Sequence, residues 1–199
     1  MATNGTSHES SSNAHALEHL HSILYPAEIF TNDQPGFKEQ SQPWSNHAEL
    51  HPQLVVQPQS IEAMQKTVKY LYDSNLDFGV RNTGTGSVSA HDVILSTHGF
   101  KTFGFDKSTE TVTIGSGFDW GEVDVLMAKE APGYAVVGAR CSWVGVAGSS
   151  LVGGLSWLSH EFGLTSDPQN LLDAQVVPVS YTHLRAHETD SLSRMPSSA

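Results

Sequence analysis

Two glycine-rich runs hold the residues of this chain whose types and spacing could do chemistry. In VGARCSWVGVAGSSLVGGLSWLSHEFGLTSD, from Val137 to Asp167, Gly138, Gly145, Gly148, Gly153 and Gly154 recur too often for packing alone. Bare backbone lets main-chain N–H groups approach a ligand closely, and turns of this kind form concave nests for anions. A shorter run upstream has the same character: the strand-like FGVR breaks into Arg81, Asn82, Thr83, Gly84, Thr85, Gly86 and Ser87. Two such loops imply one extended ligand, and a pyrophosphate fits. The formal net charge of -11 means that backbone N–H groups and a few local charges, Arg81 or Arg140, would have to hold it. The single cysteine, Cys141, excludes an internal disulfide and a CxxC metal site. His15, His19 and His21 share a helical spacing but lack a convergent further ligand, so no metal site is expected.

The elements that must position these loops follow from pattern. The serine-rich start to about Asn13 reads as disordered, and Ala14 to Leu24 as a surface helix. Ordered structure is expected from near Pro52. Leu54 to Val56 reads as a strand; Ser60 then caps a helix whose Ile61, Met64, Val68 and Leu71 form one core-facing stripe. Phe78 to Arg81 follows as a strand, which puts the first loop at a strand's carboxyl end, where open α/β sheets bind ligands. Val93–Leu95, Thr102–Phe105 and Thr111–Ile114 are further strands, the last two a hairpin, and Tyr134 to Val137 delivers the chain into the second glycine run. Between them, Gly115, Gly117 and Gly121 imitate a dinucleotide fingerprint with GxGxxxG spacing. No acidic residue completes a nicotinamide site, and Asp119 with Glu122 reads better as a capping box.

Six segments in one order, PQLVVQPQSIEAMQKTVKY, VRNTGTGS, STHGFKTF, TVTIGSGFDWGEV, GARCSWVGVAG and GLSWLSHEFGLTSD, carry a resemblance. From about Trp44 to Val177 the chain resembles the PCMH-type FAD-binding domain of the vanillyl-alcohol-oxidase superfamily, in its berberine-bridge-enzyme-like, fungal branch. The resemblance implies an α+β fold containing the first subdomain and the start of the second, truncated. It implies FAD held between two subdomains, and oxidation of an alcohol, sugar or related carbon centre by hydride transfer, often with oxygen as final acceptor. On this register Asn82 to Ser87 and Val144 to Gly154, with Ser149 among them, cradle the pyrophosphate, and Cys141 lies near the flavin ring. Thr85 occupies the position of a histidine that commonly bonds to the flavin, and a threonine hydroxyl cannot replace it. Non-covalent FAD is therefore expected, with a cysteinyl link through Cys141 as the alternative. Val152 departs from a glycine: either its backbone angles are ordinary or flavin affinity falls. Asp167 has two readings, acceptor for a cofactor hydroxyl or cap of a turn before Pro168. The resemblance places the substrate's base in a later domain, so no catalytic residue is assigned.

The expected organisation is a leader over 1–43, an incomplete FAD-binding domain over 44–177 and a non-native or disordered tail over 178–199. Val179 to Thr189 resembles a sequencing-library adapter translated in frame, so His183 and His187 carry no weight. A small-molecule substrate of a longer parent protein is the expected partner. The acidic balance argues against nucleic acid and anionic membranes, and oligomeric state is not readable. No signal peptide is visible, which makes the cytoplasm the default, although the resemblance implies relatives that are often secreted. Two rival readings are a truncated remnant that does not retain FAD and a nicotinamide-dependent dehydrogenase.

Overall fold

The computed structural model describes residues 15–16 and 18–178. The expectations for the first thirteen residues and for the tail from 179 onward lie outside the described residues.

A four-stranded sheet runs in the order β1-β2-β4-β3, built from β1 (Ile29–Thr31), β2 (Leu54–Val56), β3 (Phe78–Arg81) and β4 (Val93–Ser96). β1 is antiparallel to β2, while β2, β4 and β3 are mutually parallel. The period of two along a strand sorts the core into two faces. Leu54, Val56, Val93 and Leu95 point to one, where helix α3 (Ile61–Asp73) contributes Met64, Val68 and Leu71. Val55 and Ile94 point to the other and meet Phe37 of α2 (Phe37–Ser41). The Ser60 hydroxyl accepts from the Ala63 N–H at 3.1 Å and starts α3, as its sequence predicts. The buried stripe begins one turn later than the sequence suggests: Ile61 stays exposed, and Met64 opens the core face.

Two sequence expectations are corrected at the N-terminal side. Order does not begin near Pro52, and the surface helix before it is no isolated leader element but buries one face against the sheet. Residues 15–16 and 18–23 form α1, and Leu20 and Leu24 are buried in the same cluster as β2 and α3. Apolar residues four apart make a stripe that the sheet face can take up. Glu28, a buried carboxylate, ties this leader to the sheet by accepting from the Gln59 N–H at 2.6 Å and the Tyr25 N–H at 2.7 Å.

The hairpin β5 (Phe103–Asp106) and β6 (Thr111–Ile114) forms a second sheet. Its Phe103, Phe105, Val112 and Ile114 pack on Trp120, Val123 and Met127 of α4 (Trp120–Glu130). Asp119 and Glu122 close the expected capping box reciprocally, at 2.8 and 3.0 Å. Gly115 and Gly117 lie where a side chain would collide with the backbone of residues 97–102, so the fingerprint-like spacing is a packing turn. Tyr134 to Val137 joins neither sheet, which corrects the expected strand: a run with strand character needs a ladder partner. The rest of the described chain holds two short helices, α5 (Val146–Leu151) and α6 (Ser159–Phe162), joined by turns.

Candidate functional site

The first loop leaves the sheet where β3 ends, at Arg81 beside Ser96 of β4. Gly84 takes φ +80° and Ser87 φ +56°, and the Ser87 N–H closes the turn on the Gly84 carbonyl at 2.9 Å. The second run reaches it through a tight turn, with the Val144 N–H on the Cys141 carbonyl at 3.2 Å, before Gly145 caps α5. Both runs then bond to each other. The Gly145 N–H donates to Thr83 Oγ1 at 3.1 Å, Thr83 and Thr85 hydroxyls lie 3.0 Å apart, and Thr85 Oγ1 donates to the Trp143 carbonyl at 3.4 Å. Hydrogen bonding thus joins two loops that the sequence separates by a hairpin and a helix.

A third turn, 115–119, completes the junction. The Asn82 side-chain amide donates to the Ser116 and Phe118 carbonyls. Trp120 and Gly121 N–H groups donate to Val144 and Ser142 carbonyls at 3.1 and 2.8 Å, and the Val146 N–H donates back to the Phe118 carbonyl at 3.0 Å. The Trp120 indole N–H donates to Ser149 Oγ at 2.8 Å, so Ser149 serves the fold beneath α5. Sequence reasoning missed this role of Trp120; its neighbours in the chain showed only a helix start.

The glycines of the two runs divide into two kinds. Gly138 faces the Trp120 indole, Gly154 faces the Thr165 side chain, and a Cβ on Gly145 would stand 2.7 Å from Asn82 Cγ. At these three positions packing against a neighbouring side chain already requires glycine. At Gly86 and Gly148, by contrast, an added side chain would meet nothing within 4 Å. The neighbouring N–H groups of Thr85, Gly86, Ala147 and Gly148 donate to no described residue. Helix geometry leaves the first-turn amides of α5 without an intrahelical acceptor in any case. Asn82 Oδ1 is buried and also without a partner among the described residues. Open backbone on both turns and unused donors fit a ligand that carries more than one phosphate.

Other expected site residues fall elsewhere. Arg81 is buried, and its Nη2 donates inward to the Glu39, Gln42 and Thr83 carbonyls at 3.1, 3.4 and 3.2 Å. Burial pulls its pKa below the usual arginine range, partly offset by Glu39. Its Nη2 is thus committed to carbonyls, while its buried Nε has no partner among the described residues. Gly153 and Gly154 have φ of +113° and +72° in a turn closed by the Ser166 and Thr165 N–H groups, both at 3.0 Å. Val152 has φ -105° and is exposed, so of its two readings the ordinary backbone is the one formed. Asp167 Oδ2 accepts from the Leu164 N–H at 2.8 Å, the turn-capping reading. Cys141 is exposed. A cavity of about 430 Å³ lies between Arg140, Leu155, Trp157 and His160, and of the residues expected to meet the cofactor only Arg140 lines it.

A family described as "FAD binding domain" matches residues 52–178. An uncharacterized FAD-linked oxidoreductase of Arthroderma benhamiae is 29% identical over 160 residues, covering 77% of this chain and 31% of that protein. The (R)-6-hydroxynicotine oxidase of Paenarthrobacter nicotinovorans is 28% identical over 161 residues, covering 78% and 32%. Among solved structures, wild-type BBE-like 1 of Physcomitrella patens superposes with a TM-score of 0.66 at 21% identity, covering 76% of this chain and 34% of that one. The chain thus spans about a third of the length of the curated relatives it matches.

Proposed function

Since this chain belongs to the FAD binding domain family and has the PCMH-type fold, we propose that its two joined glycine turns hold the pyrophosphate of FAD for a flavin-dependent oxidoreductase. The observation that carries this reading is the Gly145-to-Thr83 bond, which fixes the two turns side by side while Gly86 and Gly148 stay bare. Thr85, Gly86, Ala147 and Gly148 supply the backbone donors, and Val144, Gly145 and Asn82 hold the turns in register. When bound, FAD supplies an isoalloxazine that accepts a hydride. The reaction served is oxidation of an alcohol, sugar or related carbon centre; the names of the relatives support the coarser part of this, an FAD-linked oxidoreduction. The flavin is held without a covalent bond: the Thr85 hydroxyl is occupied by Thr83 and Trp143, and cannot act as an imidazole does.

Titration of the purified chain with FAD tests the reading. One-to-one quenching of flavin fluorescence is expected, together with loss of binding in Gly86→Leu and Gly148→Leu at melting temperatures no lower than that of the wild type. No quenching in the wild type, or full binding by both variants, would end it. Acid precipitation should release the flavin into the supernatant; flavin retained in the pellet and lost in Cys141→Ser would replace the non-covalent reading with a cysteinyl bond.

A second reading, a span that folds in part without retaining FAD, is favoured by the exposure of Trp143, Leu151, Val152 and Trp157 around the second turn. The same titration separates the two.

A further inference from the structure

The stretch 39–50 precedes the matched region, yet it grips the first glycine turn from two directions. From below, the Arg81 guanidinium bonds the Glu39 and Gln42 carbonyls of the leader and the Thr83 carbonyl of the turn. It lies so close under Gly84 that a Cβ there would stand 2.6 Å from both Nε and Nη2. From the side, the Trp44 N–H donates to the Gly84 carbonyl at 3.4 Å, the Ser45 N–H to Ser87 Oγ at 3.1 Å and the Leu50 N–H to Ser89 Oγ at 3.0 Å.

We infer that Arg81 is a positioning residue which, with the leader strap 39–45, sets the shape of the first cofactor turn before any cofactor arrives. A phosphate ligand would present its guanidinium to open space; here the side chain is 7% exposed and its Nη2 is turned onto carbonyls. The planar fork suits this task, because its Nε–Nη2 edge can lie against Gly84 while Nη2 bonds carbonyls of both the strap and the turn. The bare Cα of Gly84 is the matching half of the device: its φ of +80° is a conformation glycine adopts freely, and no side chain would fit above the guanidinium. The strap therefore acts on the flavin only through Arg81 and the turn.

Hydrogen–deuterium exchange of the full chain without FAD, read by mass spectrometry, tests the inference, and FAD titration tests its consequence. In Arg81→Met the peptides covering 37–45 and 82–89 should exchange about tenfold faster or more, as loss of bonds to a charged group implies, while β2 and β4 peptides keep their rates. FAD affinity should weaken by about tenfold, with partial recovery in Arg81→Lys. Ser87→Ala should loosen the same two peptides to a smaller degree, and it carries the comparison with Arg81→Lys if Arg81→Met does not fold. Unchanged exchange in both peptides would overturn the inference. So would uniform loosening that includes β2 and β4 in Arg81→Lys, which makes the residue merely structural. Weakened FAD binding with a steep salt dependence and unaltered exchange would make Arg81 a phosphate ligand instead. The affinity arm rests on the flavin reading: if the wild-type chain binds no FAD while the exchange pattern appears, that reading fails and the positioning role stands.

Discussion

Residues 54–96 and residues 134–178 are stretches of similar length held together in different ways. The first closes on itself: Val55, Val56, Leu71 and Ile94 are fully buried, and three parallel strands share a continuous ladder under α3. The second has no strand, and side-chain bonds close its turns, with Thr165 Oγ1 donating to the Val137 and Gly154 carbonyls and Asn170 to those of Phe162 and Leu164. It leaves Leu151, Val152, Trp157 and Leu172 largely in water. The first region is a foundation, and the second a shaped surface whose relatives are three times as long.

Substitutions can break this contrast. Leu71→Ala should cost about 2–5 kcal/mol by urea unfolding, because it opens a cavity in the closed core. A change under 1 kcal/mol would mean that the first region is as loose as the second. Glu28→Ala leaves two partly buried N–H groups without their charged acceptor and should cost about 1–3 kcal/mol. Equal unfolding curves for variant and wild type would show that the leader is not part of the foundation. Gly148→Ala sharpens the contrast from the other side. It should raise stability by up to about 1 kcal/mol through helix propensity while weakening FAD binding, a combination that a packing glycine cannot give.

Acid should act where the two sheets meet. Burial, then Lys101, holds the His98 pKa below its usual range, so the folded chain favours neutral imidazole. As pH falls below about 6.5 the unfolded chain takes up that proton first, so stability declines from there until the folded pKa is passed. Glu122 adds a second loss at lower pH: burial raises its pKa, but Lys101 and the Asp119 N–H outweigh this and hold it below the usual carboxylate range. Melting temperatures between pH 4 and 8 should fall less steeply in His98→Gln than in the wild type; parallel curves would discard the assignment. The smallest effect is expected on the exposed surface. Trp157→Ser, at a side chain 78% exposed, should leave stability within about 0.5 kcal/mol while reducing binding of an apolar dye.

Local elements were legible in the sequence because their causes are local. Ser60 caps α3, Met64, Val68 and Leu71 recur at its period, Asp119 and Glu122 box the start of α4, and the hairpin follows from its strands and turn. Both glycine turns followed from residue types in order. What the sequence left undecided was which glycine faces a ligand and which faces a side chain. Gly138 and Gly148 are the same letter, and only the arrival of Trp120 against one and of nothing against the other separates them. The direction of Arg81 was likewise set by carbonyls near residue 40, and the burial of Leu20 by a sheet face formed far along the chain. Capping, periodicity and turn chemistry act over a few residues and can be read from order alone. Close approach between distant segments depends on where the folded chain places them, and that only the tertiary structure decided.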